Sequence, residues 1–328
     1  MIDHLPEPAL TRPAYLQPRI LFLLVLPPMM WAGNAVVGRL MVGTLPPVAM
    51  NALRWLMVAL MLMPLSTRVW RDMAAIRQRW VYLAAIGVLG VGTYNAMQYL
   101  ALQTSTPLNV TLIGSSVPVW MMLVGWLAYG QRLHARQLLG ALLSALGVVL
   151  VIAQGQWEVL RHVRLVPGDL LMLLASLAWA FYSWMLACPP ANMLGHQRPD
   201  WDWAAFLQIQ VLFGLIWAGA CTAVEAIMAG PGQAPMWPSS WQAWGAMVFI
   251  AIGPSILAYR CWGLGVQAVG PTMAAFFGNL TSIFAAVWSA LLLGQHPRWY
   301  HPVALVLITV GIAVSSRVRS GDQARDAT

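Results

Sequence analysis

QTSTPLNVTLIGSSVPVWMMLVGWLAYGQ occupies residues 103–131, and QAVGPTMAAFFGNLTSIFAAVWSALLLGQ occupies residues 267–295. Gln267 lies 164 positions after Gln103, and the same shift pairs Pro107 with Pro271, Gly114 with Gly278, Gly130 with Gly294 and Gln131 with Gln295. Gly147 and Gly311 extend the register, so six identities hold over 45 residues without a gap. Leu and Val coincide often between apolar stretches, but Gln, Pro and Gly do not. The chain therefore contains an internal repeat. Neither stretch holds an Asp, Glu, Lys or Arg, and each is long enough to cross a bilayer, which takes about 20 apolar residues.

The rest of the chain has the same character. Of its 328 residues 60% are hydrophobic and 9% charged, and the mean hydropathy is +0.69. A soluble domain of this size needs more charge to cover its surface. Runs poor in charge predict ten spans, near Ile20–Leu40, Pro47–Leu65, Trp80–Leu102, Asn109–Tyr129, Leu138–Ala153, Gly168–Leu186, Trp203–Met228, Trp241–Leu264, Thr272–Leu293 and Pro302–Val318. Residues 1–19 read as a disordered tail with four prolines, residues 154–167 as the junction between halves, and residues 319–328 as a second polar tail. The first repeat is assigned to 20–153 and the second to 168–318.

The net charge is +8 and every basic residue is Arg. The arginines fall singly or in small groups between apolar blocks, which suits anionic lipid headgroups and excludes a nucleic-acid partner. With the amino terminus inside, twelve arginines lie in inner segments and four in outer ones, so both termini are expected on the cytoplasmic side of the inner membrane. Cys188, Cys221 and Cys261 are too far apart for a CxxC site. No cofactor or metal is implied. The glycine run Gly87–Gly92 lies inside a span and reads as close packing rather than a phosphate loop.

A weaker match links Trp31-Ala32 in span one to Trp179-Ala180 in span six. Five spans per repeat is an odd number, so the second copy starts on the opposite side of the membrane. The fold class is thus an all-α integral membrane protein of about ten helices in two inverted five-helix repeats. That architecture permits alternating access, because equivalent halves can exchange conformations.

Trp31-Ala32-Gly33-Asn34, then Pro46-Pro47 and Arg54, resembles the opening of an EamA-type repeat. Gly168-Asp169 followed by Leu174 through Ala180 resembles the opening of a second copy, and Gly130-Gln131 and Gly294-Gln295 resemble the endings. From about residue 20 to 318 the chain is similar to the drug/metabolite transporter superfamily. The resemblance implies a secondary transporter, often an exporter of amino acids or other metabolites. One departure stands out. The family usually has Glu after the glycine that ends the fourth and ninth helices, where this chain has Gln131 and Gln295.

A carrier built this way holds its substrate near the midplane between repeats. The candidate substrate-binding residues are Asn34, Tyr94, Asn95, Gln98, Tyr99, Ser115, Trp120, Trp179, Tyr182, Tyr259, Trp262 and Asn279. Tyr94 and Gln98 are four apart, as are Asn95 and Tyr99, so each pair shares a helical face. Arg54 and Arg260 are the intramembrane charges. Both are assigned to a gate or ion pair, Arg54 because the resemblance implies it; Arg260, next to Tyr259, lies closer to the substrate path, where a carboxylate would suit it. Glu225 near the end of span seven is the candidate proton carrier. The expected partners are a small-molecule substrate in a central cavity and membrane lipid.

Two rivals remain at this stage, an intramembrane enzyme and a non-transporting scaffold or receptor. The enzyme needs clustered His, acid or Ser at mid-depth, and the mid-membrane candidates above include no His and no acid. The scaffold predicts no central cavity and leaves the inversion without a purpose.

Overall fold

The computed structural model describes residues 17–41, 43–105, 107–229, 237–294 and 298–316. Most of the two predicted tails, part of the glycine- and proline-rich loop 230–240, and Gln295 lie outside the described residues. Among the described residues nine helices are long and apolar enough to cross a membrane, and a tenth apolar helix, Tyr300–Ser315, is shorter.

In chain order the helices are α1 (Pro18–Leu40), α2 (Pro47–Leu62), α3 (Met73–Ile86, Gly87–Thr93 and Tyr94–Thr104), α4 (Pro107–Gly114 and Val117–Tyr129) and α5 (Ala135–Ile152). Then follow α6 (Pro167–Ala187), α7 (Trp203–Ala229), α8 (Trp241–Ile250, Ala251–Leu257 and Ala258–Val269), α9 (Pro271–Gly278 and Thr281–Leu293) and α10 (Tyr300–Ser315). Successive helices run in opposite directions, so Gln17 and Ser316 lie at one face of the bundle, here called the near face. The connection after α5 lies at the far face.

The 164-residue shift carries structure as well as sequence. It maps Gly87–Thr93 onto Ala251–Leu257, Pro107–Gly114 onto Pro271–Gly278, and Val117–Tyr129 onto Thr281–Leu293, end for end. It also maps the two terminal glycines onto each other. Gly130 has φ +65° and Gly294 φ +67°, the left-handed conformation that closes a helix and that glycine adopts without a Cβ clash. Gln131 donates its backbone N–H to the Gly125 carbonyl at 2.9 Å while its side chain is exposed.

The seam between α5 and α10 shows the inversion directly. A Cβ on Gly140 would stand 2.6 Å from the Gly311 carbonyl oxygen, and one on Gly147 would stand 2.9 Å from that of Ala304. One index rises as the other falls, so the helices are antiparallel. Gly140 corresponds to Ala304 and Gly147 to Gly311 under the repeat shift. Each contact is therefore the image of the other under a two-fold axis between the helices. Equivalent helices that run antiparallel belong to repeats of opposite orientation. Small residues let the backbones touch, and this close packing substitutes for a hydrophobic driving force, which is absent between helices in lipid. Beside this seam Asn279, at the break in α9, donates Nδ2 to Ser144 Oγ of α5 at 2.8 Å.

The outer surface is apolar, as lipid requires. Leu60, Val81, Leu127, Ile216 and Leu291 are each more than half exposed. Polar side chains turn inward instead, and Asn51, Ser144, Ser176, Ser183 and Gln208 have no exposed surface.

Helix α3 starts at Met73, seven residues before the predicted Trp80. Arg77 and Arg79 ended the charge-poor run in the sequence. Arg79 is 9% exposed and donates Nε to Asn192 O at 2.8 Å, Nη2 to Gln197 O at 2.7 Å and Nη1 to Ala75 O at 3.1 Å. Backbone carbonyls of the α6–α7 connection thus accommodate the charge inside the helix.

Candidate functional site

Helices α3 and α8 each contain one π-helical segment, Gly87–Thr93 and Ala251–Leu257. A π turn disturbs the regular hydrogen-bond ladder and frees carbonyls for other donors. Gly90 and Pro254, which correspond under the repeat shift, both use their carbonyl this way. Tyr259 OH donates to Gly90 O at 2.6 Å, and Trp31 Nε1 donates to Pro254 O at 3.2 Å. The sequence gives different causes for the two breaks. Pro254 has no N–H, so the Ile250 carbonyl loses its helical donor, and Ser255 Oγ donates to it at 2.8 Å. In α3 the glycines admit close neighbours. A Cβ on Gly87 would lie 2.5 Å from the Gln210 carbonyl oxygen, and one on Gly90 would lie 2.6 Å from the Tyr182 ring. The run Gly87–Gly92 is therefore a packing surface, as read.

The two breaks flank a cluster of rings with Trp179 of α6 at its middle. Trp31, Tyr94, Tyr182, Tyr259 and Trp262 lie between 5.0 and 5.6 Å from it, centroid to centroid. Trp31 and Tyr94 come from the first repeat and the others from the second. Trp262 Nε1 donates to Ser183 Oγ at 3.1 Å, and Tyr182 OH to Gln210 Oε1 at 3.2 Å. In this conformation Trp179, Tyr182, Tyr259 and Trp262 are each less than 5% exposed. Where the sequence predicts an open central cavity, the rings themselves fill the space. Pockets of about 520 and 460 Å³ lie at the far and near faces, and none of these rings lines either one.

Arg54 of α2 enters beside this cluster. It is 1% exposed. Nε donates to Ser255 Oγ at 2.7 Å, and Nη1 to Asn95 Oδ1 at 3.3 Å and Tyr99 OH at 3.4 Å. Its guanidinium carbon lies 4.8 Å from the Trp55 ring centroid. Asn95 Nδ2 in turn donates to Tyr259 OH at 3.2 Å, joining the charge to the rings. The ion pair expected of Arg54 is not formed among the described residues. A guanidinium stays protonated under all ordinary conditions. Burying one costs several kcal/mol, and its neutral partners only partly offset that.

Of the predicted residues, Tyr94, Asn95, Tyr99, Trp179, Tyr182, Tyr259 and Trp262 converge with Arg54 on this centre. The Asn95–Tyr99 face reaches the guanidinium, whereas Tyr94, on the other predicted face, meets Trp179. Gln98 is half-buried. Asn34 is 8% exposed, and its Oδ1 is buried without a partner among the described residues. Others sit apart. Ser115 Oγ returns to Leu112 O at 2.7 Å, Trp120 Nε1 donates to Ser116 Oγ at 3.1 Å, and Asn279 ties α9 to Ser144 of α5. Arg260, expected on the substrate path, is exposed, with its guanidinium carbon 4.3 Å from the Trp203 ring centroid. It shares α8 with Tyr259 but projects from a different face. Glu225 accepts from the backbone N–H groups of Val48 at 3.1 Å and Ala49 at 2.9 Å. It caps α2, whose own N-cap, Pro46, has no side-chain acceptor.

Trp31, Trp55 and Ser255 belong to the centre and were not singled out as site residues in the sequence. Trp31 did carry a signal, its match to Trp179, and Ser255 follows the one proline within α8. Trp55 is fully buried, and its Nε1 has no acceptor among the described residues.

The profile of the EamA-like transporter family matches this chain twice, over residues 18–153 and 166–317. A Bacillus subtilis protein named uncharacterized transporter YyaM is 25% identical over 74% of this chain and 75% of its own length. The aromatic amino acid exporter YddG of Ancylobacter novellus is 25% identical over 74% of this chain and 78% of its own. A probable amino-acid metabolite efflux pump of Escherichia coli is 23% identical over 90% of this chain and 93% of its own. One crystal structure superposes with a TM-score of 0.68 at 21% identity, covering 90% of this chain and 96% of the other, a likeness of fold.

Proposed function

The chain belongs to the EamA-like transporter family, and from that premise we propose that it is a secondary transporter exporting amino acids or similar small metabolites across the inner membrane by alternating access. Both termini face the cytoplasm in this reading, in line with the arginine distribution. The observation that carries it is Arg54, a buried permanent cation between the two inverted repeats with only neutral partners among the described residues. A substrate carboxylate supplies the missing counter-charge. The rings around Trp179 supply the apolar side of the site. They close it in the present conformation, and rocking of the repeats separates Trp31 from Trp179 and Trp262 to admit the substrate. The names of the Ancylobacter and Escherichia relatives agree with this class of cargo.

Proteoliposomes loaded with a metabolite panel test it. Saturable counterflow of at least one carboxylate-bearing solute is expected, and Arg54→Gln should lower it by tenfold or more while the protein still melts cooperatively. If well-folded protein moves no solute, the transport reading is wrong.

A further inference from the structure

Resting on the transport reading above, we infer that the preferred cargo is an aromatic or arylalkyl monocarboxylate without an amine, a net anion rather than a zwitterion. The charge inventory is the first ground. The sequence has ten acidic residues, and each of the six described ones lies outside the helices or near a helix end. Asp72, Asp200 and Asp202 sit at the near face. Glu158, Asp169 and Glu225 sit at the far face, where Asp169 is taken by Ser105 and Asn109, and Glu225 by the start of α2. The remaining four fall in the terminal segments. Among the described residues no carboxylate is therefore placed to receive an ammonium group at the centre.

The second ground is the set of donors and acceptors around Arg54. Among the described residues the buried Trp55 Nε1–H has no acceptor, and the guanidinium beside it has no anion. One unmet donor and, on the adjacent residue, one uncompensated positive charge suit a carboxylate. Of the neutral acceptors, Gly90 O is engaged by Tyr259, Pro254 O by Trp31 and Asn95 Oδ1 by Arg54 itself, whereas Asn34 Oδ1 and Asn51 Oδ1 are buried without a partner among the described residues. An amide oxygen offers an ammonium a hydrogen bond but no counter-charge. An ammonium group on the carbon next to the carboxylate would come close to the guanidinium, and like charges repel strongly where water is excluded. The ring faces of Trp179, Tyr94 and Trp31 give an aryl body edge and face contacts. They could also hold an ammonium by cation–π attraction, but the fixed positive charge of Arg54 opposes it.

Three solutes with the same phenyl-ethyl body separate these outcomes: 3-phenylpropanoate, phenylalanine and phenethylamine. In counterflow with proteoliposomes of the full chain, 3-phenylpropanoate should move with kcat/KM at least tenfold above phenylalanine, and phenethylamine should not move. Trp55→Phe, which keeps a ring and deletes the N–H, should raise KM for 3-phenylpropanoate several-fold with its melting temperature near that of the parent. If phenylalanine moves as fast or faster, or if Trp55→Phe leaves KM unchanged, the inference is overturned and the transport reading stands. If no solute of the wider panel moves either, the transport reading itself has failed.

Discussion

The π segments of α3 and α8 occupy the same register in the two repeats, yet they are built from opposite materials. Gly87–Thr93 has three glycines and opens the helix by removing side chains, so that α7 and Tyr182 can press against the backbone. Ala251–Leu257 opens it with Pro254, which deletes a donor, and then repairs the loss through Ser255. The shape is shared and the chemistry is not. Repetition has conserved a backbone path with a freed carbonyl at its middle, while each copy has found its own way to sustain it. Only the α8 version ties the repair to charge, since Ser255 Oγ also accepts from Arg54.

Substitutions can break this contrast at graded cost. The largest effect belongs to Gly87→Ala. Its new Cβ would meet the Gln210 carbonyl at 2.5 Å, and a backbone atom held in α7 cannot rotate away. A loss of about 3 kcal/mol or more is expected, read as a lower melting temperature in detergent. Its counterpart Ala251 already has a Cβ, so Ala251→Gly should cost only about 1 kcal/mol. Equal losses would dissolve the distinction between the two breaks.

Ser255→Ala comes next. It strands the Ile250 carbonyl and takes an acceptor from Arg54, for a cost of about 1–3 kcal/mol. In a Pro254→Ala background the restored N–H can serve Ile250, so the same change should cost less, with a coupling of about 1 kcal/mol. A double-mutant cycle that closes additively would refute the repair.

The third prediction compares Asn279 with its counterpart Ser115. Asn279 reaches from α9 to α5 of the other repeat, whereas Ser115 bonds within its own helix. Asn279→Ala should cost about 0.6–1.7 kcal/mol, and Ser115→Ala should be close to neutral by the same melting assay.

The smallest effect concerns the starts of α2 and α7. Asp202 Oδ1 accepts from the Ala205 N–H at 2.8 Å and so serves its own helix α7, whereas α2 depends on Glu225 from α7. Glu225→Gln keeps an acceptor and loses only the charge–dipole part, about 0.3–1 kcal/mol. The pH profile of counterflow should not change. A profile flattened by Glu225→Gln would instead make this residue a proton carrier.

Hydropathy and the 164-residue register made the spans and the duplication legible, because both are written in residue type alone. Arg54 also stood out, since a charge in an apolar run is visible without a structure. What surrounds it was less legible. Arg54 and Arg260 look alike in sequence, but one is buried against side chains of α3 and α8 and the other lies on an exposed face against Trp203, and neighbours decide that. Asn95 and Tyr99 were readable as one face because helical spacing is local. Ser255 and Trp55 were not, since their part depends on a break in one helix meeting a side chain from another. The start of α3 was misplaced because counting charges cannot foresee that carbonyls from a distant connection will hold Arg79.

The glycine seam of α5 and α10 has a consequence for ancestry. Its two contacts are interchangeable under the axis, so two separate copies of a five-helix polypeptide could have met through the same surface before any fusion. Each repeat still carries one half of that handshake. A chain cut within residues 154–166 would thus yield fragments with the means to find each other again in the bilayer.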